Sequence, residues 1–151
     1  MRAWLFCIFF SLSSAVLGTD QFRLGTFSAD ITPPEGHVLF TGRWKNSTGN
    51  TTRLEAHGFV LIPPGEQKPI VYCAADWAEI RNDAYDRWRD VLAQAAGTDR
   101  VRVLVSSIHQ HDTPLADLEA QRILEARGSK HQVIDLEFHE KAVQAVAAAL
   151  R

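Results

Sequence analysis

The stretch IVYCAADWAEIRNDAYDRWRDVLAQAAGTDRVRVLVSSIHQHD, residues 70–112, decides the fold. It opens with the apolar run Ile70 to Ala75, which has the length of a strand and ends at Asp76. Ile80, Ala84, Trp88, Val91, Leu92 and Ala95 then recur at three- and four-residue spacing, and Gly97 is a natural C-terminal stop. That periodicity predicts an amphipathic helix after Asp76. Val101, Val103 and Val105 define a second strand rich in β-branched residues, which runs into Ser106-Ser107-Ile108-His109-Gln110-His111-Asp112. Strand, helix and strand in this order form a crossover unit. The two strands should therefore be parallel neighbours, with Asp76 and His109 at their C-terminal ends on a shared edge.

Working outward, Ala56 to Ile62 is a further strand-length run, separated from Ile70 by the turn-rich segment 63–69, and the two read as a hairpin. Residues 25–32 alternate apolar and polar up to Pro33-Pro34, where a strand must stop for want of N–H donors. Residues 43–53 are polar and hold two N-glycosylation sequons, Asn46-Ser47-Thr48 and Asn50-Thr51-Thr52. They mark an exposed loop. Downstream, Leu115 to Arg127 and Val133 to Arg151 read as helices, the second with Leu136, Val143, Val146 and Leu150 along one face. The expected fold is α/β: a mixed sheet with a β-hairpin and a βαβ unit, flanked by helices. No Gly, Asn or Pro ends the last helix, so the chain is expected to be a portion of a larger domain.

The first residues read as a secretory signal. Arg2 supplies a positive n-region, Ala3 to Phe10 an apolar core, and small residues follow up to Gly18, the expected cleavage point. An uncleaved anchor is the competing reading, but the apolar run falls short of the ~20 residues a membrane-spanning helix needs. Residues 1–18 are thus expected to be a signal peptide, residues 19–151 one mature domain, and the product secreted or periplasmic. Cys7 leaves with the signal, so Cys73 has no intrachain partner and reads as a small buried hydrophobe. A net charge of -2 with no basic stripe argues against nucleic acid as a partner.

The residues with chemistry to offer are His109-Gln110-His111-Asp112. Strand alternation would send His109 and His111 to one face, where two imidazoles can converge on a cation such as zinc. Asp112 could orient one of them. Zinc brings the pKa of a bound water towards neutrality, which points to hydrolysis. Short His-X-His motifs are weak alone, and solvent-facing or backbone-bonded histidines are the alternative. Asp76 has two readings, a metal ligand or ligand-orienting group and an N-cap of the following helix. His37, His57, His131 and His139 read as structural or exposed. Trp44, Trp77 and Trp88 could line an apolar pocket, although Trp88 matches the buried face of its helix. A Gly-rich phosphate loop and a Gly-X-Ser-X-Gly elbow are both missing, which removes support for nucleotide binding and serine-hydrolase chemistry.

Three segments together, Ala29-Asp30-Ile31-Thr32-Pro33-Pro34-Glu35-Gly36, the strand ending in Asp76, and Ser106-Ser107-Ile108-His109-Gln110-His111-Asp112-Thr113-Pro114, resemble the N-terminal part of neutral ceramidase-type hydrolases. The resemblance implies an amide hydrolase that depends on Zn2+. His109 would be a zinc ligand and His111 would lie beside the metal near the substrate; from the residues themselves, and not from the resemblance, Asp76 is a further candidate ligand and Asp112 a candidate group beside the reacting centre. Asp112 departs from the Ser that the family carries there, which points to a substrate other than ceramide itself. The family draws another His, a Glu and a Tyr from regions downstream. A small-molecule or lipid amide is the implied substrate, with the membrane surface reached through it. A non-catalytic exported binding module, or a truncated inactive homologue, is the alternative on the same fold.

Overall fold

The computed structural model describes residues 21–151, and the expected signal lies outside the described residues. Three strands come first: β1 (Arg23–Asp30), β2 (Glu55–Ile62) and β3 (Ile70–Ala75). They are followed by a two-residue strand β4 (Glu79–Ile80), helix α1 (Asn82–Ala96), strand β5 (Val103–Ser107) and a second two-residue strand β6 (Leu115–Ala116). Helices α2 (Leu118–Ala126) and α3 (Leu136–Leu150) complete the order. The main sheet runs β1-β2-β3-β5. β1 and β3 are both antiparallel to β2, and β5 is parallel to β3, with Cys73 opposite Val105. This is the mixed α/β sheet, with its hairpin and its crossover unit, that residues 56–105 encode.

The pleat divides each strand between two environments. Val71, Cys73 and Ala75 of β3 and Val103 and Val105 of β5 are buried under α1 and α3, together with Trp88, Leu92, Val143 and Val146. Leu24, Phe59, Ile70 and Leu104 belong to the other face and stay exposed. Phe27 of β1 lies over its register partner Gly58, where a Cβ would come within 2.2 Å of Phe27 Cζ and 2.4 Å of the Tyr72 carbonyl oxygen. No side chain could share that space. Cys73 is fully buried and its thiol is pushed up to about 12 by burial, so it acts as an apolar filler, as expected.

Trp77 and Trp88 meet edge to face with centroids 5.6 Å apart, and both are fully buried. Trp77 Nε1 donates to the Ile31 carbonyl and Trp88 Nε1 to His139 Nε2. These two tryptophans are core. Trp44 is half exposed.

Helix boundaries differ from the periodic reading in three places. α1 starts at Asn82 because Glu79 and Ile80 pair in parallel with Leu115 and Ala116. The same pairing takes Leu115 and Ala116 out of the second helix, which begins after the Asp117 cap, whose side chain accepts from Ala120 N. α3 begins at Leu136, capped by Asp135 accepting from Phe138 N. Val133 and Ile134 are buried loop residues whose N–H groups both donate to Gln121 Oε1, at 2.7 and 3.3 Å. Among the described residues no helix is long and apolar enough to cross a membrane.

Candidate functional site

The loop that carries the two histidines leaves β5 at the C-terminal edge of the parallel pair, beside the segment that leaves β3. Hydrogen bonds tie the two exits together. Ile108 N donates to Ala75 O, His109 N to Trp77 O, Ala78 N to Pro114 O and Arg81 N to Ala116 O, all at 2.9–3.1 Å. Thr113, buried, closes the turn by donating its hydroxyl to Gln110 O at 2.7 Å. Its own carbonyl accepts from Phe40 N at 3.0 Å.

Strand alternation is not what brings the histidines together, since β5 ends at Ser107 and His109 has a left-handed φ of 66°. That conformation costs a non-glycine residue on the order of 1 kcal/mol or more, and His tolerates it better than most. The bond from its N–H to Trp77 O holds it there. The rings of His109 and His111 nevertheless converge, with centroids 5.0 Å apart and planes at 79°. Phe40 stacks on His111 at 4.7 Å and 27°, and lies edge-on to His109 at 6.3 Å.

His109 Nδ1 lies 3.0 Å from the Ala78 carbonyl oxygen, an acceptor only. Nδ1 must therefore carry the proton, which leaves Nε2 of the neutral ring with a free lone pair. Glu79 adds a carboxylate oxygen 3.7 Å from the same Nδ1 while its other oxygen pairs with Arg81. Such a backbone or carboxylate partner on one nitrogen is how a metal-binding imidazole is usually oriented. Glu79 escapes sequence reasoning because its only local signal is a place in an apparently helical pattern.

Asp76 does not cap α1; that position is Arg81, and the Asp76 carboxylate accepts from Glu55 N at 2.9 Å while Asp76 N donates to Glu55 O. The aspartate thus fastens the exit of β3 to the start of β2. Its other oxygen makes no hydrogen bond among the described residues. Asp112 likewise bonds neither imidazole. Among the described residues no group of three or more His, Cys, Asp or Glu side chains is gathered as a metal ion would require. The residues present therefore fit zinc in part: two imidazoles, one with its Nε2 free, and among the described residues no third group assembled with them.

A cleft of about 800 Å³ opens on the other flank of this loop. Gln110 and Asp112 line it with Asp76, Leu39 and the polar loop from Trp44 to Leu54, whereas His109 and His111 do not. Both sequon asparagines serve its wall. Asn46 Nδ2 donates to Gly36 O and Asn50 Nδ2 to Pro33 O, each at 3.0 Å. The Asp30-Ile31-Thr32-Pro33-Pro34 segment anchors the same loop. Asp30 Oδ1 accepts from Thr32 N, and Thr32 Oγ1 accepts from Leu54 N at 2.9 Å. Thr32, through its side chain first and its backbone N–H second, with a lesser contribution from Arg53, holds the Asp30 carboxyl below its ordinary range.

The remaining histidines are structural or exposed, as expected. His37 is buried and uses both nitrogens, Nδ1 on Val38 O and Nε2 accepting from Asp135 N; burial lowers its pKa. His139 is buried in α3 and lowered to about 4, chiefly by desolvation. His57 and His131 face solvent.

No protein-family model matches the sequence, and no curated protein does. The fold matches solved structures. A ceramidase complexed with C2 aligns with a TM-score of 0.57 and 17% identity over 85% of this chain and 20% of its own. The neutral ceramidase from Pseudomonas aeruginosa aligns with a TM-score of 0.60 and 20% identity over 85% of this chain and 21% of its own. At these identities the likeness is one of fold, which bears out the expected architecture. The chain spans about a fifth of the length of those structures.

Proposed function

We propose that this chain is part of an exported, zinc-dependent amide hydrolase of the neutral ceramidase type, acting on an N-acyl amide of a small molecule or lipid. The observation that carries the reading is the freed Nε2 of His109 next to His111 at the C-terminal edge of a parallel strand pair, in a fold shared with neutral ceramidases. His109 would hold the ion through Nε2, and His111, kept in place by Phe40, would sit beside the scissile carbonyl. Asp112 and Gln110 would orient the amine portion of the substrate from the cleft side. Asp76 keeps β2, β3 and the cleft wall in register, with one oxygen left to face a ligand. When bound, zinc supplies an electrophile for the carbonyl and acidifies water. A lipid substrate would bring the protein to a membrane surface.

A second reading, a non-catalytic binding module, is favoured by one observation: two histidines have no third donor gathered beside them among the described residues. Zinc content and amide hydrolysis, measured on the wild type and on the His109→Ala/His111→Ala double variant, separate the two. Near-stoichiometric zinc and turnover, both lost in the variant, support the hydrolase. Zinc without turnover leaves the binding module, and equal, negligible zinc in both proteins overturns the metal site.

A further inference from the structure

We propose that the cleft between the Trp44–Leu54 loop and the His loop is a binding site for a sugar head group, with Trp44 as its stacking platform. Its volume of about 800 Å³ suits a small molecule. Its lining does not suit an acyl chain. Leu39, Trp44 and Leu54 are the large apolar side chains in it, and the rest of the wall is amide, hydroxyl, carboxylate and cation. An aliphatic tail placed there would strip water from polar groups and give no hydrogen bonds back.

The groups left free in the cleft define the ligand. The side chains of Asp112 and Gln110 and the second carboxylate oxygen of Asp76 make no hydrogen bond among the described residues, whereas the side chains of Asn46 and Asn50 are already committed to Gly36 and Pro33. Two carboxylates accept and never donate, so they call for O–H or N–H groups; Gln110 can serve either way. A sugar supplies several hydroxyls on one side of its ring and C–H groups on another. Trp44, half exposed at the rim, offers the flat apolar surface that such a C–H face covers. The wall is built in advance, because the loop is fastened through Asn50 to Pro33 and through Leu54 to Thr32.

This inference deepens the hydrolase reading and rests on it for the role of the cleft, which there holds the amine portion of the substrate through Gln110 and Asp112; the cleft residues would bind that portion whether or not the histidines hold a metal. The test is a ¹H–¹⁵N titration of the labelled protein with N-acetylglucosamine, and with N-butylhexanamide as an amide without hydroxyls. N-acetylglucosamine is expected to shift the Trp44 indole N–H and the Gln110 side-chain amide, saturating at about 1 mM or somewhat above. Trp44→Ala should weaken it about fivefold or more, Trp44→Tyr much less, and Asp112→Asn should also weaken it. His109→Ala/His111→Ala should bind it as the wild type does. Binding lost with the histidines but kept in Trp44→Ala would overturn the cleft assignment and leave the hydrolase reading standing. Preference for N-butylhexanamide at the same resonances, or no shift with either compound, would also overturn it.

Discussion

His109 donates its Nδ1–H to the carbonyl of Ala78, while Ala78 donates its own N–H to Pro114 at the far end of the same loop. One buried residue thus orients the imidazole and pins the return of the loop that carries it. The ring is presented with its Nε2 lone pair outward before any ligand arrives, and such preorganisation is what a metal-binding or hydrogen-accepting histidine needs.

A long-range ¹H–¹⁵N spectrum at neutral pH should show the neutral His109 ring protonated on Nδ1. A majority of the Nε2–H form would mean that the Ala78 carbonyl does not govern the ring, and the case for His109 as a ligand would lose its geometric basis.

His139 makes stability depend on pH in mildly acid solution. Burial lowers its pKa from 6.5 to about 4, and its Nε2 must stay unprotonated to accept from Trp88. Between those values the unfolded chain binds a proton that the folded chain refuses, so the contribution is complete above the unfolded pKa and is lost as pH falls through the folded one. The whole effect is on the order of 3 kcal/mol. His37, lowered by burial in the same direction, adds to it. Urea unfolding between pH 7 and pH 4 should show the decline, and His139→Gln should flatten it. An unchanged slope in that variant would assign the acid sensitivity elsewhere.

Gly58→Ala should destabilise strongly. The new methyl would meet the Phe27 ring, which could turn, and the Tyr72 carbonyl oxygen, which belongs to the neighbouring strand and could not. A loss near the upper end of the ~1–3 kcal/mol typical of overpacking is expected in thermal or urea unfolding. Gly25→Ala, with open space around it, serves as the control and should change stability little.

Gln121→Leu should cost about 2–4 kcal/mol, because the Val133 and Ile134 N–H groups would be left buried without an acceptor. The link from Gln121 Nε2 to Glu125 reaches a solvent-exposed carboxylate, so Glu125→Ala should cost much less. Equal losses in the two variants would show that the buried amides find another partner.

Periodicity made most of the fold legible. Val103 and Val105 alternate into the core, Ala84, Trp88, Val91 and Leu92 repeat at helical spacing, and a crossover between such elements leaves parallel strands as its outcome. The starts of α1 and α2 fall a few residues later than the periodicity predicts for one reason. Glu79-Ile80 and Leu115-Ala116 are too short to have a period of their own, and each becomes a strand only because the other lies beside it. The resemblance carried by residues 29–36 and 106–114 likewise anticipated the architecture, yet it gave no account of what Asp30, Thr32 and Asn50 do, which is to fasten the cleft wall.

The amino-acid order by itself determined the longer strands and the helices, the parallel pairing of β3 with β5 and the placing of two histidines just past a strand end, because these follow from local pattern and chain connectivity. Tertiary structure alone decided how those histidines face each other, which ring nitrogen of His109 is free, and that Asp76 serves β2 instead of a helix cap. The reason is physical. Each of these is set by a hydrogen bond to a partner far away in sequence, His109 to Ala78, Asp76 to Glu55, and a local pattern carries no information about which distant carbonyl or amide will come within 3.0 Å.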